Sequence, residues 1–138
     1  MNKLIFLVLI YSQSPFAHEL FLGGISKHFG NENVTNENHE LVALEFNHII
    51  GGTFINSYGN RSYLLGYSAE WNKDHWLSFH LAAGVVKGYS DEQYKYLPCF
   101  QSEVCPTAIV GLSVNTPYTK PHLFLMGNAL VFTLGFEF

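Results

Sequence analysis

"ALVFTLGFEF", residues 129–138, alternates without a break. Leu130, Phe132, Leu134, Phe136 and Phe138 share one side, and Ala129, Val131, Thr133, Gly135 and Glu137 share the other. A period of two marks a β-strand, because successive side chains leave the pleated backbone on opposite faces. "SYLLGYSAEW" (62–71) repeats the pattern, with Tyr63, Leu65, Tyr67, Ala69 and Trp71 opposed to Ser62, Leu64, Gly66, Ser68 and Glu70. "ELVALEFNH" (40–48) sets Val42, Leu44, Phe46 and His48 against Leu41, Ala43, Glu45 and Asn47. In "WLSFHLAAGVV" (76–86), Leu77, Phe79, Leu81, Ala83 and Val85 oppose a face that carries His80. Beyond residue 17 no segment sustains a helical period.

One face of each run is bulky and apolar, while the other is small, Gly-rich and partly polar. A soluble sandwich buries the bulky face and shows a charged one to water. Here charged residues are only 13 % of the chain, about half the usual share, so the second face is a poor water-facing surface. Small and polar groups suit the inside of a narrow barrel whose outside meets lipid. Runs fall at 19–29, 40–49, 52–58, 62–71, 75–89, 106–114, 121–126 and 129–138, eight in all and near the length a tilted strand needs to cross a bilayer. The expectation is an all-β, eight-stranded antiparallel transmembrane β-barrel. Tyr63, Trp71, Trp76, Tyr89, Tyr94 and Tyr96, near the run ends, suit interfacial girdles.

The N-terminus carries its own signal. Asn2 and Lys3 precede the apolar "LIFLVLIY" (4–11), and "SQSPFA" leads to Ala17, with Pro15 at the −3 position where a small residue is usual. This reads as a secretory signal peptide over 1–17, leaving 18–138 as the barrel domain. A bacterial outer-membrane location follows for such a barrel. Cys99 and Cys105 enclose five residues, and in an oxidising compartment they can close a small loop. With no His at ligand spacing they make a weak zinc case, and neither metal nor cofactor is expected. A net charge of −4 without a basic stripe argues against nucleic acid.

With both ends of the barrel at the inner side, the connections after the first, third and fifth runs face outward. The long polar segments "GNENVTNENH" (30–39) and "SDEQYKYLPCFQSEVCP" (90–106) then lie outside, with short turns at "IGG" (50–52) and "NKDH" (72–75). His28 ends the first run, and Asn56 and Ser57 end the third at the same rim. A serine acts as a nucleophile only beside a base, and a base needs a group to orient it. His28 and Ser57 supply the first two, and Asn56 can orient or donate; the plain alternative is that Asn-Ser opens an ordinary turn. By parity Glu45, Glu70 and His80 point inward and form an interior polar network. His48 and His75 fall at turns, His122 falls in the run 121–126, and Glu32, Glu37, Asp91 and Glu92 belong to a solvated rim.

"NSYGNRSYLLGY" (56–67) resembles the lipid A palmitoyltransferase (PagP) family, which has Asp-Ser at the outer end of its third strand and Gly-Tyr in its fourth. Asn56 and Ser57 lie on the Asp-Ser pair and Gly66–Tyr67 on the Gly-Tyr. The family's essential His matches His28 in "SKHFG", "CPTAIVG" its Pro-led sixth strand, and "FEF" its terminal aromatic run. The resemblance implies an outer-membrane acyltransferase that moves an acyl chain from a phospholipid donor to a lipid A acceptor. It implies His28 as general base, Ser57 sharing in acyl transfer, Asn56 orienting them, and Gly66, Tyr67 and Ser68 at the acyl-chain pocket. Asn56 stands where the family has a carboxylate, the chain is shorter and lacks the N-terminal amphipathic helix, and region 112–128 is compressed. Ser68 replaces a glycine at the pocket floor, which predicts a shorter acyl chain. The protein is expected to act as a monomer, delivered by the outer-membrane assembly machinery through Phe138. The competing readings are a non-enzymatic barrel for adhesion or exclusion, and a lipid A or phospholipid acyl hydrolase.

Overall fold

The computed structural model describes residues 18–30, 34–89, 99 and 104–138. The leader expected over 1–17 and the loop residues Glu32, Asp91, Glu92, Tyr94 and Tyr96 lie outside them. Eight strands follow in chain order: β1 (His18–His28), β2 (Asn38–Phe46), β3 (Ile49–Ile55), β4 (Arg61–Trp71), β5 (Leu77–Lys87), β6 (Val104–Val114), β7 (Lys120–Met126) and β8 (Ala129–Glu137). Each pairs antiparallel with its neighbour in sequence, and β8 closes on β1, giving a closed barrel. All eight runs expected from alternation are present. Cys99 and Cys105 are joined by a disulfide.

The first short turn is not at "IGG". The chain reverses at Asn47–His48, both with positive φ (49° and 70°), as a two-residue hairpin matched to strand twist requires. Gly51 and Gly52 instead lie inside β3, where a Cβ on Gly52 would stand 2.5 Å from that of Ala43. Glycine here permits close strand approach and marks no turn. Consequently β2 ends, and β3 begins, three residues earlier than alternation suggested.

The outward face is apolar on every strand: Leu22, Leu44, Ile49, Leu65, Leu81, Val110, Leu125 and Leu134 are all exposed. Exposed apolar side chains on all eight strands form a belt of the kind that marks contact with a membrane or a protein partner. Inside, the barrel is divided along its axis. Towards the chain termini a polar layer fills the lumen. Glu19 bonds His122, whose other ring nitrogen meets Ser113; Glu70 takes Ser78, His80, Lys73 and Lys120; Lys120 also reaches Glu137 at 2.7 Å. Glu45 accepts from Ser68. The expected inward Glu45, Glu70 and His80 are therefore joined by Glu19, Lys120 and His122, which the alternation pattern did not single out. Above this layer Phe21, Ala43 and Ile50 form a small apolar core with Leu41 and Phe124 packed on it.

Candidate active site

The upper rim, opposite the chain termini, carries the β1–β2, β3–β4, β5–β6 and β7–β8 connections. His28 reaches into it because of a bulge. Glu19 and Phe21 are buried, so strict alternation would turn Lys27 inward and His28 outward. Gly23 and Gly24, with φ of 90° and 98°, insert one residue against β8 and reverse the parity. Beyond them Ser26 is buried, Ile25 is 63 % exposed, and His28 faces the lumen. Glycine is required at Gly24 for its φ and because its neighbour is the buried His39, whose Cβ lies 3.3 Å from where a Cβ would stand.

Ser57 stands in the β3–β4 turn with Oγ 2.8 Å from Nε2 of His28. Two clamps hold it. From one side the backbone amides of Thr35 and Asn36 donate to its carbonyl at 2.9 and 3.0 Å. From the other, Asn56 ties the turn together: its Oδ1 accepts from the amides of Tyr58 (2.9 Å) and Asn60 (3.1 Å), and its Nδ2 donates to Ser62 Oγ (3.0 Å) and the Gly88 carbonyl (3.2 Å). Asn56 is 0 % exposed, and all these bonds lead away from His28. The expected trio is thus gathered at one rim, with His28 and Ser57 in contact and Asn56 engaged in building the turn. An amide is needed there, since a carboxylate cannot donate to the Gly88 carbonyl. Asn56→Asp is expected to cost about 1–3 kcal/mol by leaving that acceptor facing an anion, seen as a lower urea midpoint in detergent; an unchanged midpoint would show the turn does not depend on the amide.

Two residues that sequence reasoning passed over complete the group. Ser26 Oγ lies 3.4 Å from His28 Nδ1 and 2.7 Å from His39 Nε2, and His39 Nδ1 lies 2.7 Å from the Ile55 carbonyl. No sequence signal marked them, because His39 sits at the end of a polar segment read as loop.

His28, His39, Ser57, Tyr58 and Tyr89 line the mouth of a cavity of about 350 Å³. Its walls are apolar down to Phe21, Ala43, Ile50 and Phe124. The Tyr89 hydroxyl is pushed up to about 12 by burial and then by neighbouring Tyr58, so it stays a neutral phenol. Among the described residues the mouth is also open at the side. β6 pairs with β5 up to Val104, but with β7 only over Ile109–Ser113, and Pro106, Thr107, Met126 and Asn128 edge the resulting notch. Pro106 suits such a position, having no amide hydrogen for a ladder to use.

The expected pocket residues fall elsewhere. Tyr67 points outward, 47 % exposed and stacked on His48. Ser68 is buried against Glu45 in the polar layer. Gly66 borders a narrow gap between Ile50, Leu64, Ala82 and Ile109. Gly24, Leu41, Ala43 and Ile109 line the cavity instead, while Phe124 fills the space over Gly111. Comparison of the sequence with protein-family models and with curated proteins finds no match.

Proposed function

We propose that this barrel is a bacterial outer-membrane acyltransferase, similar to the lipid A palmitoyltransferases, which moves an acyl chain from a phospholipid to lipid A. The observation that carries the reading is the Ser57–His28 contact at the mouth of an apolar cavity with a lateral notch. The apolar belt on all eight strands supports a place in a bilayer. A phospholipid chain can enter the cavity through the notch without leaving the hydrocarbon phase, which sets its ester at the rim beside Ser57.

The chemistry follows from the two side chains. His28 Nε2 takes the Ser57 hydroxyl proton as Oγ attacks the ester carbonyl, and returns it to the departing glycerol oxygen, leaving acyl-Ser57 and a lysophospholipid. A lipid A hydroxyl then attacks the acyl group. His28 accepts its proton and passes it to Ser57 Oγ as that bond breaks. Asn56 contributes by holding the turn that presents Ser57.

The test is a mass spectrum of lipid A from cells expressing the wild type. An added acyl chain, absent with empty vector, is the expected result. Loss of a chain, or free fatty acid from phospholipid, would replace the transferase with a hydrolase. An unaltered lipid profile would leave a binding barrel.

A further inference from the structure

The direction of each hydrogen bond from His39 through Ser26 and His28 to Ser57 follows from one backbone carbonyl. The Ile55 oxygen can only accept, so His39 Nδ1, 2.7 Å away, carries the proton. In a neutral imidazole the other nitrogen is then a lone pair, and Ser26 Oγ, 2.7 Å from His39 Nε2, donates to it. With its single proton so used, Ser26 offers His28 Nδ1 only lone pairs across 3.4 Å, and Nδ1 donates. His28 Nε2 is left as the acceptor that faces the Ser57 hydroxyl at 2.8 Å.

We propose that His39 and Ser26 are a positioning relay that holds His28 in the one tautomer able to take a proton from Ser57. Neither touches the reacting atoms; both act through His28. This rests on the reading of His28 and Ser57 as the acyl-transfer pair, and it supplies the orienting group that Asn56 does not. Among the described residues no carboxylate hydrogen-bonds to His28. A neutral relay also suits its surroundings, because a buried carboxylate beside an apolar cavity would carry a large desolvation cost. Both relay residues depend on irregular backbone: Ser26 is turned inward by the Gly23–Gly24 bulge, and Glu40, with φ of 45°, is the extra residue of β2 next to His39.

The experiment is ¹⁵N NMR of histidine-labelled protein folded in detergent micelles, with kcat and KM for acyl transfer measured on the same samples. The His28 resonances are those absent from His28→Ala, and heat-dependent gel mobility confirms that each barrel is folded. In the wild type His28 is expected to be protonated at Nδ1 and bare at Nε2. Ser26→Ala and His39→Ala should both shift it toward the Nε2–H form and lower kcat roughly 10²-fold with KM little changed, the lower end of what a general base supplies. His39→Gln, whose amide oxygen can take the place of Nε2 as acceptor for Ser26, should restore the Nδ1–H tautomer and most of kcat. An Nε2–H tautomer in the wild type overturns the relay, as does a folded Ser26→Ala with wild-type kcat. If the tautomers respond as expected but the wild type transfers no acyl chain, the acyl-transfer reading fails and the relay's hydrogen-bond order stands.

Discussion

His28→Ala is expected to stop acyl transfer while leaving the barrel folded. A positioned general base contributes about 10²–10⁴-fold to a rate, and His28 is the only base in hydrogen-bond contact with Ser57 among the described residues. Ser57→Ala should cost at least as much, and the double variant no more than the worse single one, because two groups that act as one unit do not add. The structural cost is small. His28 lies at the rim, half-buried, and its loss leaves only the hydroxyls of Ser26 and Ser57 to find other partners, about 1 kcal/mol by the usual worth of such bonds. Lipid A mass spectra and heat-dependent gel mobility together separate the two effects. Wild-type acylation by a folded His28→Ala protein would remove the catalytic assignment.

Lys120→Met should do the opposite, destabilising the barrel while touching nothing at the rim. Lys120 is 3 % exposed, and its ammonium lies against Glu70 and Glu137. Oxygens of Glu19, Glu70 and Glu137 all lie within 4.8 Å of one another, so the lysine offsets two buried carboxylates and a third that is half exposed. Removing one partner of a buried ion pair costs about 3–5 kcal/mol, since the remaining charge is uncompensated. Equilibrium unfolding in urea from detergent or lipid should show a much lower midpoint. Lys120→Met with Glu70→Gln should regain a large part of the loss, because the pair is then removed as a unit. A single variant as stable as the wild type would mean that water already solvates this layer.

The two ends of the lumen thus divide the work. Carboxylates, lysine and histidine join the wall near the chain termini. The upper half is left mostly apolar and partly empty, with His28, His39 and Ser57 at its mouth. The polar layer beneath the Phe21–Ala43–Ile50 core occupies the lower lumen, in keeping with a barrel of eight strands whose interior is filled by side chains.

Alternation by itself determined the number of strands and which face of the regular ones turns outward. Leu130, Phe132 and Leu134 had to share a side, and so did Glu45 and Ala43, because side chains on a strand repeat every two residues. It also brought His28 and Ser57 to one rim, since antiparallel neighbours place every second connection at the same end. Where the backbone leaves the regular pleat, that reasoning stopped. Gly51 and Gly52 imitated a turn that Asn47 and His48 make, and the Gly23–Gly24 bulge reversed the parity of β1 exactly where His28 needed it. What the tertiary structure alone decided are contacts between residues far apart in sequence: Glu19 with His122, 103 residues apart, and His39 with Ser26 and Ile55. These exist only once β8 has closed on β1 and two bulges have aimed their side chains, and no local period in a sequence encodes closure or aim.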